Sequence, residues 1–144
     1  MRILNVLLSS AVLCVGLAAS GLAQDKEVPN LVGTWKGKAL AVHIGATPYR
    51  AADGSAVQFS PNEIEYTYEI TQQQDTRFAG KMSGGKFQET VIGMLSPDGN
   101  TAMMLDDDGQ YSMKLIDPNT IDMCYTHLYP TSKVVACLQI KRTP

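Results

Sequence analysis

The chain lacks most of the features that announce a function by themselves. In 144 residues it has one tryptophan, two histidines, three phenylalanines and three cysteines. Charged residues make up only 18%, and the two signs nearly cancel, for a net charge of −2. Without a basic excess no nucleic-acid partner is expected, because a phosphate backbone is met by clustered lysine and arginine. A hydrophobic content of 44% excludes a disordered tail. Beyond residue 23 no apolar run is long enough for a bilayer-spanning helix, so the mature chain is expected to have no membrane span. No Ser-His-Asp, Cys-His or phosphate-loop spacing stands out, and the expectation is a protein that is not an enzyme, with no cofactor and no resident metal.

What is present begins with an address. Arg2 precedes a mostly apolar run from Ile3 to Val15, and small residues close the segment at Gly21 and Ala23. This reads as a signal peptide over 1–23, leaving one domain over 24–144 in a periplasmic or secreted protein. A membrane anchor and a lipoprotein at Cys14 are the alternatives; Ser9, Ser10 and Asn5 interrupt the run, and Leu13 is bulky for lipoprotein processing. Two cysteines remain, Cys124 and Cys137, and an even count in an exported chain favours a disulfide over two buried thiols.

The rest of the chain alternates with a period of two and never holds helical spacing for ten residues. Eight strands are expected, at 35–44, 64–72, 77–83, 86–95, 101–106, 110–116, 120–128 and 133–141. Turn residues separate them, including Gly84-Gly85, Pro97-Asp98-Gly99, Asp107-Asp108-Gly109 and Asp117-Pro118-Asn119. In the last hairpin one register sets Ile121 against Ile140, Met123 against Leu138 and His127 against Val134. That same register sets Cys124 opposite Cys137, so apolar pattern and cysteine placement agree. The bridge would close a short loop, worth about 3 kcal/mol in the loop-entropy model.

Earlier registers follow from assumed loop lengths. They pair Ile70 with Phe78, Met82 with Phe87, Gly80 with Glu89, Val91 with Leu105, Leu105 with Tyr111 and Met103 with Met113. Eight antiparallel neighbours with one apolar face can close on themselves, and the expected fold is an all-β, eight-stranded up-and-down barrel. A sandwich of two four-stranded sheets is the alternative.

The segment Gly33-Thr34-Trp35 resembles the Gly-x-Trp opening of the first strand in calycins, the lipocalins and avidins among them. Calycins tend to place a basic residue of the last strand beneath that tryptophan. Here Lys141 and Arg142 end the last strand, so the resemblance implies a structural pair of Trp35 and Arg142, with a cation–π contact. Avidins line their biotin site with several tryptophans, and this chain has only Trp35. The run Gly33-Thr34-Trp35-Lys36-Gly37 is also similar to the start of nitrobindin-type haem barrels, which implies haem on His43 or His127.

With Trp35 inward, alternation fills one end of the barrel with Trp35, Ile70, Phe78, Leu95, Leu115, Ile121 and Ile140. The other end receives His43, Tyr66, Tyr68, Glu89, Tyr111, Tyr125 and His127, with Met82, Phe87 and Leu105 among them. The long loop 45–63 closes over that end. Polar groups converging in an apolar cavity describe a small-molecule site, and these seven residues are the expected handles for a largely apolar ligand. The competing reading puts the same groups on a solvated rim. A second function class is an interaction module, such as an exported protease inhibitor or envelope accessory protein, meeting a protein partner through loop 45–63 with Pro48 and Tyr49 exposed. His43, His127 and Glu89 also have the residue types of a two-histidine, one-carboxylate metal site. Asp106-Asp107-Asp108-Gly109 lacks the alternation of a calcium loop and reads as a turn.

Overall fold

A computed structural model describes residues 27–51 and 55–144; the leader expected over 1–23 lies outside the described residues. All regular structure among the described residues is β-strand. The strands are β1 (Gly33–Ala39), β2 (Val42–Ile44), β3 (Gln58–Phe59), β4 (Ile64–Gln74), β5 (Arg77–Gly84) and β6 (Phe87–Leu95). There follow β7 (Thr101–Leu105), β8 (Gly109–Asp117), β9 (Thr120–Leu128) and β10 (Lys133–Arg142). From β4 to β10 each strand pairs antiparallel with the next, β1 pairs with β4, and β1 also pairs with β10. The sheet is therefore a closed eight-strand barrel and not a sandwich.

The expected first strand breaks at Leu40-Ala41. Its lower part, β1, faces β4 along its length and touches the end of β10, whereas its continuation, β2, pairs with the start of β10 through Val134 and His43. This bend lets one strand close the seam at both ends. The last hairpin has the expected register, with Cys124 opposite Cys137 and the two bonded. Among the described residues no helix is long and apolar enough to cross a membrane.

Four registers depart from expectation, for local reasons. The β5–β6 turn sits on Gly85-Lys86, where Gly85 adopts φ of 58°, so Gly80 meets Val91 and Met82 meets Glu89. The β4–β5 pairing moves by two residues as well, with Tyr68 opposite Met82, and a bulge between Ile70 and Gln72 leaves Phe78 opposite Gln73. Shifts of two keep the faces, and Ile70, Phe78 and Met82 remain inside. Phe87, however, lies at the mouth and is exposed.

The other two departures exchange the faces of β7. A four-residue turn sets Ile92 against Leu105, and a two-residue Asp107-Asp108 turn sets Leu105 against Gln110. Ala102 and Met104 are consequently buried, while Met103 and Leu105, expected inside, stand on the outer wall.

One end of the barrel, the base, is packed solid. Trp35 is 1% exposed and packs with Leu31, Ile121 and Ile140. The enclosed space left in its interior is about 10 Å³, at most one water, and an open groove of about 530 Å³ lies outside it beside Pro29, Asn119 and Arg142. Arg142 lies over the Trp35 ring at 4.2 Å, as the resemblance implied.

Candidate functional site

The opposite end, the mouth, is built differently. A cavity of about 30 Å³ remains there, room for about two waters. Small side chains make the space, since Ala39 on β1 and Ala136 on β10 leave that wall low. Facing them are Tyr66, Tyr68, Tyr111 and Tyr125, so four of the seven expected residues come together on the cavity. Three of the rings are in contact in sequence, Tyr68 and Tyr111 edge-on at 5.9 Å and Tyr111 and Tyr125 tilted at 4.8 Å.

Four further residues complete the site without having been expected in it: Tyr49, Arg50, Asp106 and Asp108. Asp106 follows Ala102 and Met104 on the inward face that the corrected β7 register creates. Its Oδ1 accepts from the backbone of Gly109 at 2.7 Å, which shapes the turn, and its Oδ2 accepts from the Tyr111 hydroxyl at 2.7 Å. Asp108, in the same turn, accepts from the Tyr125 hydroxyl at 2.6 Å. Gly109 makes this possible: a Cβ there would lie 2.3 Å from the Tyr125 ring.

Tyr49 was expected on the surface of loop 45–63. It instead folds into the mouth, its ring edge-on to Tyr66 and Phe87. Its hydroxyl donates to Glu89 Oε1 at 2.7 Å. Arg50 follows as a buried cation whose guanidinium donates to the Ala39 carbonyl at 3.2 Å and to the Ser60 hydroxyl. The isolated bridge between Thr47 and Arg50 holds this part of the loop down.

Glu89 lies just behind Tyr49 and is 9% exposed. Among the described residues its Oε2 is buried with no hydrogen-bond partner. Carboxylate atoms of Glu89, Asp106 and Asp108 lie within 4.8 Å of one another. Burial raises the Glu89 pKa, as do the charges of Asp106, Asp108 and Asp107, against the opposing Tyr49 hydrogen bond. The phenols of Tyr49, Tyr68, Tyr111 and Tyr125 are likewise pushed up, first by burial and then by surrounding groups that include Asp106 or Glu89. Tyr66 is raised by burial with Arg50 opposing. The interior of the mouth thus carries a negative field and keeps its phenols neutral.

The two histidines are buried but do not line the cavity. His43 on β2 has Nδ1 3.4 Å from the Gly45 carbonyl. His127 has Nε2 2.7 Å from the Ser132 hydroxyl and Nδ1 3.2 Å from Asp108 Oδ2, the latter out of line for a hydrogen bond. Ser132, His127 and Asp108 therefore follow the atom order of hydrolytic triads. Ser132 is buried, however, beneath the Gly45 backbone, where a Cβ would approach its Cα at 3.1 Å. The trio clamps two turns together and exposes no nucleophile. Nor do the imidazoles fit haem, since both His127 nitrogens have neighbours and the cavity, about 30 Å³, is far smaller than a haem. The acidic trio gathers Glu89 with Asp106 and Asp108, and not with the histidines expected beside it.

No family model, curated protein or solved structure matches the chain.

Proposed function

We propose that this is an exported, non-catalytic binding barrel of calycin type, which holds a small molecule in its mouth beneath the loop that carries Tyr49. One observation carries the reading. A barrel that needs only stability has no reason to bury polar groups, yet this one fills its base with apolar side chains and gathers tyrosines and carboxylates around a cavity at the other end. The ligand's apolar body would lie among Tyr66, Tyr68 and Met82, and its polar handles would be the hydroxyls and carboxylates around them. The present space admits only water, so a larger ligand must displace the Tyr49 ring.

The test narrows the cavity without touching a polar group. Ala136→Val adds two methyl groups to the low wall on a strand where a β-branched residue is well tolerated. Native mass spectrometry of the mature protein taken from its own host should show a retained small molecule. The Ala136→Val protein, folded by circular dichroism, should retain none. Undiminished retention would place the ligand elsewhere.

A second reading is favoured by the outer wall. Ile92 pairs with Leu105 and Met94 with Met103, and all four point to solvent. Such a block suits an interaction module that meets a protein through this wall. It needs no cavity, and the Ala136→Val protein would keep its partner.

A further inference from the structure

The mouth holds three carboxylates and one guanidinium, and the guanidinium is spent on neutral acceptors. Arg50 donates to the Ala39 carbonyl and the Ser60 hydroxyl, and among the described residues it forms no ion pair with Glu89, Asp106 or Asp108. The acids are shared unequally. Asp106 accepts from Tyr111 and the turn backbone, and Asp108 accepts from Tyr125 and faces His127. Among the described residues Glu89 has only the Tyr49 hydroxyl on Oε1, which leaves Oε2 bare on a residue nine-tenths buried. A buried carboxylate oxygen without a donor is costly, and a ligand that supplies the donor gains what the free protein lacks.

We propose that the ligand is a small organic ammonium ion, whose protonated amine sits within reach of Glu89 Oε2, Asp106 and Asp108 among the tyrosine rings. The proposal rests on the reading that the mouth is a ligand site and names the ligand's chemistry. Three alternatives fit less well. A divalent cation such as calcium takes six to eight oxygens, and here four of the six carboxylate oxygens already accept hydrogen bonds from protein donors. An anionic ligand would be set against the convergent carboxylates of Glu89, Asp106 and Asp108. A neutral alcohol could donate to Oε2, but would leave the field of three acids uncompensated. An ammonium ion satisfies the orphan oxygen, balances the field and is attracted to tyrosine faces. Asp106 and Asp108 line the existing space while Glu89 lies behind Tyr49, so the ammonium head reaches Glu89 by taking the place of the Tyr49 phenol, where a donor already meets this carboxylate.

The experiment titrates the mature protein by calorimetry with n-butylammonium, and with n-butanol, butyrate and calcium chloride as comparisons. n-Butylammonium should bind, and the other three should bind about ten-fold more weakly or not at all. Glu89→Gln keeps shape and removes charge, and should weaken n-butylammonium by about ten-fold or more. Ala136→Val should weaken it as well, which covers the case in which Glu89→Gln fails to fold. If butanol or butyrate binds as well as the amine, and Ala136→Val weakens it, the cavity stands as a site and the ammonium proposal falls. Calcium binding tighter than the amine overturns the proposal in favour of a metal centre. If no probe binds, the ammonium proposal is overturned; retained ligand in native mass spectrometry then still decides the cavity reading separately.

Discussion

Glu89 is the residue on which the chemistry of the mouth turns, and its protonation has a consequence for stability. Burial and the charges of Asp106, Asp108 and Asp107 make the folded chain hold this proton to higher pH than the unfolded chain does. Across the window between the unfolded carboxyl value, about 4.3, and the raised folded value, the folded state binds more protons. Stability therefore falls as pH rises through that window and stays lower above it. Glu89→Gln should remove this loss, so the variant should be the more stable protein near pH ~7, with the advantage closing towards pH ~4. Urea midpoints at the two pH values measure it, and an equal difference at both would mean the carboxylate is solvated. The inward place of Glu89 was legible from alternation, as were those of Tyr68, Tyr111 and Tyr125. Tyr49 was not, because nothing in loop 45–63 says which way a single tyrosine turns. Asp106 and Asp108 read as turn residues, and they are turn residues; the turn happens to point its carboxylates inward.

At the scale of the element, alternation gives the faces of a strand but loop length gives its register, and the two kinds of information failed separately. The hairpin of β9 and β10 was legible because cysteines and apolar residues voted together. On β7 the run Ala102-Met103-Met104-Leu105 is apolar on both faces, so nothing in it opposes a slip of one residue, and only the lengths of the two flanking turns decide. The bulge between Ile70 and Gln72 left no mark in the composition of β4. It shows instead on β5, where Gly80 crosses it so closely that a Cβ would stand 2.0 Å from the Glu69 carbonyl oxygen and 2.8 Å from the Ile70 Cα. Both obstacles are backbone and cannot swing aside. Gly80→Ala should therefore destabilise the barrel by about 1 to 3 kcal/mol, read from the denaturant midpoint. An unchanged midpoint would mean that β4 and β5 lie farther apart at the bulge.

For the whole molecule, the closing contacts and the proposed binding site occupy opposite ends, and the sequence separates them by residue type. The base is closed by long-range contacts between chain ends. The Trp35 indole donates to the Leu31 carbonyl at 3.0 Å, and Gln73 holds the same segment through Leu31 and Pro29. Arg142 seals the seam of β1 and β10, donating to the carbonyls of Val32 and Asn30 at 2.6 Å each and of Pro118 at 3.3 Å while lying over Trp35. No other side chain can reach three carbonyls in one plane and stack at once, so even lysine would keep the charge and lose the fork. Arg142→Ala should cost about 2 kcal/mol, from the cation–π contact and the carbonyls left without their donor. Because Arg142 shares no partner with Tyr49, Glu89 or Asp108 among the described residues, the loss should be additive with changes at the mouth. A folded Arg142→Ala protein should then bind n-butylammonium as the parent does while melting at lower temperature. Weaker amine binding in that folded variant would show that base and mouth are mechanically joined, and that closing the seam helps to set the spacing of the carboxylates.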